Sequence, residues 1–384
     1  MMSSWREIVL AASLLVGGAL GTARDAAAQS GITDVQYGAF LDAAYLKDFN
    51  DPANQIFRSR GTAWHVDDWY INMAGAYARR KPTDRSHWGA EVLLQAGKDD
   101  EIFGFSATAP NIGGADFLRH LGLANVSYVL PTGKGLTIQG GIFGSLIGYD
   151  SLYAKDNFNY TRPWGADFTP YLMLGANASY PLTDKLAGTF YIVNGYWHLA
   201  NANSVPSSGV QLAYHATPDI TVKETVLAGP HQSNTSPGLW RFLSDTIVER
   251  KTGRVTVAGE YQLATEQVDA AERFRAWWMA AQLPIHWNIS GPWSATVRPE
   301  FAWDSRGRWT GAEQTVAALT GTLEYRAAYG NAQAIVRLEY RFDRSTGTGG
   351  GFFTDVQPGA IGLTPRQHLL IVGVILTYDR STKS

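Results

Sequence analysis

The alternation of side chains between residues 315 and 343 constrains this fold more than any other stretch of the chain. Successive side chains of a strand point to opposite faces. Residues 315–326 and 333–343 carry apolar side chains at every second position, with polar or charged ones between them. A turn containing Gly330 and Asn331 joins the two segments, which predicts an antiparallel hairpin. The apolar face could cover the core of a soluble sandwich, or it could meet lipid in a barrel whose polar face lines a watery lumen.

Connection lengths distinguish these two environments. The same alternation recurs from Val35 onward in about sixteen segments, with an uncertainty of about two. Short connections at 131–135, 181–185, 217–219, 251–254 and 327–332 contrast with long ones at 47–64, 97–118, 149–168 and 344–365. A membrane barrel has short periplasmic turns and long extracellular loops, whereas a soluble sandwich does not require its connections to differ in length. We therefore predict an all-β fold, a transmembrane antiparallel β-barrel of about 16 strands (14–18).

Individual strands support the barrel. The segment from Trp293 to Trp303 has an indole at each end of its apolar face. At about 3.3 Å per residue it is roughly 33 Å long, or about 25 Å along the membrane normal at a tilt near 40°. That height matches the apolar band of a barrel, and Pro299 predicts a bulge because proline cannot donate to the ladder. In an earlier strand, the alternation places five residues on the apolar face: Trp69, Ile71, Met73, Gly75 and Tyr77.

The N-terminus and the composition indicate export. Residues 8–23 form an uncharged, mostly apolar run, and Ala26, Ala27 and Ala28 give a small-residue cleavage pattern. We predict a signal peptide over residues 1–28 and a single outer-membrane barrel over 29–384; a membrane anchor is the alternative, but the run is short for a span. The chain has no cysteine, so stability cannot come from disulfides. A net charge of −2 gives no reason to expect nucleic acid as a partner.

Several motifs resemble a known family. They are the segments 117–121 (FLRHL), 124–128 (ANVSY), 131–137 (PTGKGLT), 147–149 (IGY) and 154–162 (AKDNFNYTR), with 180–185, 193–196 and 339–343 later in the chain. This pattern is similar to the OmpL-like β-barrel outer-membrane porin family, although Asp150 stands where the family pattern suggests Glu. The chain also ends in Ser384 and not in an aromatic residue. The resemblance implies an outer-membrane channel for small hydrophilic solutes in a Gram-negative bacterium.

Charged residues on the polar face of three consecutive strands are candidate pore-lining groups. They are Arg298, Glu300, Glu324, Arg326, Arg337, Glu339, Arg341 and Asp343. One interpretation is a charged wall that steers ions. The other is a ladder of cross-strand pairs that holds the wall together, which the nearly cancelling signs favour.

The third long connection is a candidate constriction. Residues 149–162 carry Asp150, Lys155, Asp156 and Arg162 in a segment long enough to fold into the lumen. There, its acids would face wall arginines across the pore; the alternative is an ordinary surface loop. Acidic groups at 65–68 and 99–101 could bind a divalent cation, but such positions are usually only solvated.

The sequence therefore predicts a diffusion porin, without a cofactor, a metal or a catalytic residue. Its expected partners are outer-membrane lipid and lipopolysaccharide, the barrel-assembly machinery, small hydrophilic solutes and ions, and further copies in a homo-oligomer. A non-conducting structural or adhesion barrel is the main alternative. A barrel enzyme is less favoured, since no lipid-facing stripe combines serine and histidine with a third orienting group.

Overall fold

Antiparallel strands joined in chain order make up most of the described chain. The computed structural model describes residues 35–102, 115–195, 203–231, 238–269, 274–347 and 349–382. The predicted signal peptide, residues 1–28, lies outside these ranges. Within them, no helical segment has the length and apolar character of a membrane span.

The strands have the following bounds. They are β1 (Val35–Asp48), β2 (Trp69–Arg80), β3 (Trp88–Ala96), β4 (Leu121–Leu130), β5 (Leu136–Gly144), β6 (Leu172–Pro181), β7 (Leu186–Val193), β8 (Ser207–Thr217), β9 (Ile220–Pro230), β10 (Trp240–Thr252), β11 (Val255–Gln267), β12 (Arg275–Gln282), β13 (Ile285–Ser290), β14 (Trp293–Asp304), β15 (Gln314–Tyr329), β16 (Ala332–Thr346), β17 (Phe352–Gln357), β18 (Ala360–Thr364) and β19 (Arg366–Ser381). Four short helical segments, Lys98–Ile102, Ala115–His120, Ala154–Asp156 and Ala166–Phe168, lie in the long connections.

The sheet closes on itself. Each strand from β1 to β16 pairs with its neighbours, and β19 pairs with both β16 and β1. Since β12 and β13 both lie between β11 and β14, they occupy one position in the wall. The result is a closed barrel of 16 antiparallel strands, which confirms the predicted fold and strand number. The β17–β18 hairpin, which the sequence analysis did not assign, lies in the last long connection.

The hairpin that anchored the sequence analysis forms with the predicted faces. Leu323 is opposite Leu338 and Glu324 is opposite Arg337 across β15 and β16. The outward side chain of Leu338 is 50% exposed, whereas Arg337 is completely buried inside the barrel. Apolar residues therefore face lipid and charged residues face the lumen.

Strand β2 departs from the predicted alternation. Its pairing with β1 shifts between Asp42 and Ala43, so Asn72 is an extra residue in a β-bulge. The bulge moves every later residue of the strand to the other face. Met73 is completely buried and Tyr77 lines an interior cavity, so their predicted lipid-facing positions are wrong.

Pro299 produces no bulge, contrary to the prediction. The register between β14 and β15 runs through Pro299 without a shift. On its other side, Leu283 donates its backbone N–H to the Pro299 carbonyl, but proline has no N–H to return. The gap between β12 and β13 lies beside Pro299 and contains Pro284, which also has no N–H, so ladder bonds are missing on both strands and one strand is divided into two pieces.

Candidate functional site

A long internal segment fills much of the lumen. We call residues 145–171, which connect β5 to β6, the lumen loop. Tyr160, Arg162 and Trp164 in its centre are at most 1% exposed. A polar loop segment can be buried only if its backbone groups find partners. The barrel wall supplies those partners from several sides.

The β14–β16 wall binds the backbone of the lumen loop. Arg337 donates from Nη1 to the carbonyl oxygens of Ala154 and Asn159, at 2.7 and 3.1 Å. Glu339 accepts hydrogen bonds from the backbone N–H groups of Tyr160 and Thr161, at 2.6 and 2.9 Å. These are charge-assisted bonds in a buried environment, so they fix the position of the loop strongly.

The same wall charges also pair with one another. Arg337 donates to Glu324 at 2.8 Å, and Arg341 contacts Asp343 and Glu300 at 2.8 and 3.0 Å. Two further contacts, Arg298 with Glu300 and Arg326 with Glu324, measure 3.2 and 3.0 Å. Seven of the eight inward charges thus form two clusters, Arg298–Glu300–Arg341–Asp343 and Arg326–Glu324–Arg337, while the eighth, Glu339, binds the lumen loop.

The adjoining wall, β19–β1–β2, holds the centre of the loop. The Tyr160 hydroxyl donates to Asp42 at 2.6 Å and accepts from the Asn72 amide at 2.7 Å. Its ring lies against Gly373, where a side-chain Cβ would come within 2.5 Å of the ring. Since Asp42 lies on β1 and Glu339 on β16, Tyr160 binds both strands, the first through its hydroxyl and the second through its backbone N–H.

The start of the loop is fixed to β10–β12. Gly148 donates its N–H to Asp245 at 2.8 Å, with a backbone φ of +91° that favours glycine. Asp150 accepts a hydrogen bond of 2.6 Å from Gln282. Burial raises the pKa of Asp150, and the positive charge of Arg298 opposes that rise.

Extracellular loops pack over the lumen loop. The Trp164 indole donates to Asp343 at 2.8 Å, and its ring lies 6.1 Å from Phe57 and 6.2 Å from Phe352. Arg60 forms an ion pair of 2.9 Å with Asp167 and stacks on Trp164. This aromatic and ionic layer packs against the lumen loop around Trp164.

The four charged residues predicted for the constriction occupy different environments. Asp156 pairs with its neighbour Lys155 at 2.9 Å, and no ion pair with a wall arginine is formed by Asp156 in the described structure. Arg162 is completely buried, donates to the Tyr160 carbonyl at 3.1 Å and lies 3.7 Å from Asp99. Burial raises the pKa of Asp99 to about 7, and Arg162 opposes that rise. Lys155 and Asp156, with side chains 21% and 48% exposed, reach open space.

An open cavity of about 680 Å³ lies beside the lumen loop near the periplasmic strand ends. Besides Lys155 and Asp156, its charged lining comprises Arg79, Glu91, Asp379 and Arg380, with Tyr77 and Tyr153 among its other residues. The wall members of this set were not predicted from the sequence. The alternation predicts the inward positions at the ends of β1, β3 and β19. It does not predict those of β2, because the bulge at Asn72 exchanges the two faces of that strand.

No cluster of metal-binding side chains occurs within the described ranges. His65 stacks on the Tyr70 ring, and Asp67 pairs with Lys47 at 2.8 Å. Asp99 accepts a hydrogen bond of 2.7 Å from the backbone N–H of Ala63. These acids bind groups of the protein itself.

Comparisons with known proteins agree with this architecture. The sequence profile described as "Putative beta-barrel porin-2, OmpL-like" matches residues 34–378. No curated protein sequence matches the chain.

Solved structures share the fold at low identity. The outer membrane channel DcaP of Acinetobacter baumannii is 11% identical with a TM-score of 0.56, covering 90% of this chain and 97% of its own. The anion-selective porin from Comamonas acidovorans is 11% identical with a TM-score of 0.54, covering 90% and 99%. The trimer form of OmpT of Vibrio cholerae has the same identity and TM-score, covering 91% and 100%.

Proposed function

This chain belongs to the OmpL-like beta-barrel porin-2 family, and from that membership we propose that it lets small hydrophilic solutes and ions diffuse passively across the outer membrane of a Gram-negative bacterium. The observation that carries the proposal is the polar interior of a closed 16-stranded barrel. A barrel of this size encloses more space than its own side chains fill. The lumen loop then restricts that space to a size suited to small solutes.

The diffusion path runs through the cavity between the lumen loop and the wall. Its charged groups are of both signs, with Arg79, Lys155 and Arg380 against Glu91, Asp156 and Asp379. Opposed charges at a constriction act on permeating ions through their field. Because the signs balance, we expect weak ion preference that a single substitution can shift.

The predicted site residues divide into two roles in this proposal. Lys155 and Asp156 face the path directly. The others hold the lumen loop in place, either by binding it directly or by pairing with the wall residues that do: Asp150, Arg162, Arg298, Glu300, Glu324, Arg326, Arg337, Glu339 and Arg341. The charged wall therefore sets the pore size by fixing a loop, and acts on the solute only indirectly.

Orientation and partners follow from the same membership. The short turns lie in the periplasm and the long loops outside the cell. Residues 1–28 are removed on export, and the barrel-assembly machinery inserts the remainder among lipid and lipopolysaccharide. The trimer form of the OmpT structure is consistent with assembly of this chain into a homo-oligomer. The protein catalyses no reaction in this proposal.

Ion preference tests the proposed path. Asp156→Asn removes a negative charge from the cavity, so the reversal potential in a salt gradient should shift toward anion selectivity. Asp184→Asn is the matched control, because Asp184 is 94% exposed in a turn at the periplasmic edge and pairs with Lys134 there. Equal reversal potentials for Asp156→Asn and the unmodified protein would remove Asp156 from the path.

A further inference from the structure

Two arginines lie side by side on the outer face of the barrel. Arg344, two residues before the end of β16, is the register partner of Arg366, the first residue of β19. Their chain neighbours Asp343 and Gln367 are completely buried inside the barrel, so the two arginine side chains point outward, and both residues are exposed. The long connection 347–365 begins just beyond them, which puts the pair at the end of the strands that faces outside the cell in the proposed orientation.

This arginine pair has no countercharge in the protein. Within the part of the chain that the structure describes, neither the Arg344 nor the Arg366 guanidinium forms an ion pair or a hydrogen bond. The adjacent acid, Asp343, faces the lumen and pairs there with Arg341. Like charges that directly oppose each other on neighbouring strands are destabilising. An anion bound between the two guanidinium groups would relieve the repulsion, and their paired N–H groups match the oxygens of a phosphate.

The outward side chains change from charged to aliphatic toward the membrane centre. The register pair below the arginines is Phe342 with His368, and Tyr340 with Leu370 follows. The Tyr340 hydroxyl and His368 Nδ1 share a hydrogen bond of 2.6 Å, as amphipathic rings at a membrane surface commonly do with a polar partner. Leu338 lies in the next pair. This order matches a lipid whose phosphate lies at the surface and whose acyl chains point toward the centre.

Strand β15 leaves an opening beside these side chains. Gly321 is the register partner of Tyr340 on one side and of Val297 on the other. Tyr340 and Val297 are 46% and 49% exposed, so this row lies on the outer face. A Cβ added at Gly321 would meet no atom within 4 Å outside its own chain neighbours. A hydrocarbon chain can therefore lie over Gly321, below the arginine pair.

We propose that this surface binds a lipopolysaccharide molecule, with a phosphate between Arg344 and Arg366 and an acyl chain over Gly321. The proposal rests on the proposed orientation of the barrel, and it does not depend on conduction through the lumen. Lipopolysaccharide occupies the outer leaflet, and its phosphates lie on the sugars that carry the acyl chains. A basic site at the membrane surface recognises such a headgroup by its charge, and the apolar surface below it holds the chain.

Titration of the purified protein with bisphosphorylated lipid A, the membrane part of lipopolysaccharide, tests the site. The double variant Arg344→Gln/Arg366→Gln should bind lipid A about ten-fold more weakly in mild detergent, as native mass spectrometry would measure, because charge-assisted hydrogen bonds to phosphate are lost. The matched control is Arg80→Gln/Arg250→Gln, which removes two outward arginines at the periplasmic ends of β2 and β10. It should bind lipid A as the unmodified protein does, and equal affinities of the two double variants would overturn the proposal.

Competing ligands identify what the site recognises. Dephosphorylated lipid A and dioleoylphosphatidylglycerol should each bind the unmodified protein more weakly than bisphosphorylated lipid A, and inorganic phosphate should not displace the bound lipid. Displacement by inorganic phosphate would show a site for a free anion, and equal binding of phosphatidylglycerol would show only general attraction of anionic lipid. Either result would overturn the assignment to lipopolysaccharide.

A variant of the opening tests the acyl chain. Gly321→Leu fills the space beside Tyr340, so it should weaken lipid A binding although both arginines are retained. Unchanged binding would overturn the placement of the chain over Gly321. Heat-sensitive gel mobility would show that each variant is a folded barrel. Conduction by a protein that fails these binding tests would remove the lipid site and leave the proposed channel intact.

Discussion

Replacement of residues 151–161 by a short Gly-Ser linker should let markedly larger solutes cross the barrel. This segment includes the Tyr160 and Thr161 backbone groups that bind Glu339 and the Ala154 and Asn159 carbonyls that bind Arg337. Its removal takes away the segment that Arg337 and Glu339 hold against the wall. The remaining wall encloses the wide aqueous channel typical of a sixteen-stranded barrel.

A size series of sugars measures this effect. In liposome-swelling assays, the variant should admit sugars that the unmodified protein excludes, and it should admit small sugars several-fold faster. Replacing residues 353–363, an equally long segment of the β17–β18 hairpin, by the same linker is the control. That change keeps Phe352 against Trp164 and leaves the lumen loop anchored. Identical size limits for all three proteins would place the restriction outside the lumen loop.

Leu338→Arg should destabilise the barrel by about 2–4 kcal/mol, the cost of a cation on the lipid face near the bilayer midplane. Leu338 points outward near the middle of β16 and is 50% exposed. Neighbouring outward side chains, such as Val336 and Tyr340, offer the cation no partner charge. The free energy of unfolding would be measured by denaturant titration of the barrel refolded in lipid vesicles.

The control is the same substitution closer to the membrane surface. Leu376 also points outward, but it lies near the periplasmic end of β19, two residues before Tyr378. There the arginine can reach the headgroups, so Leu376→Arg should cost only about 0–1 kcal/mol. Equal losses at both positions, or no loss at Leu338, would contradict the assignment of this face to lipid.

The fold could be predicted because a barrel is encoded locally. Alternation along β15 and β16 gives the two faces, and the turn at Gly330 gives their pairing. The errors arose where one residue alters the pattern. Asn72 adds a bulge, which an alternation with a period of two residues cannot reveal. Pro299 lies beside an interruption of the neighbouring strand, and the register does not change there.

The arrangement of the lumen was less accessible to sequence reasoning. Folding of residues 149–162 inward was an open alternative, but the partners of each charge were not predictable. Thr161 and Glu339 are 178 positions apart, and their contact depends on the path of the whole loop. The ion pair between Asp156 and its sequence neighbour Lys155 was not predicted either, although both residues line a cavity with arginines of the wall.

Single-channel recording of the purified, unmodified protein in planar bilayers tests the central claim most directly. A porin narrowed by the lumen loop should produce discrete current steps with a small conductance that rises in proportion to salt concentration. Folded barrel that inserts into the bilayer without producing such steps would contradict the claim and would favour a non-conducting structural barrel.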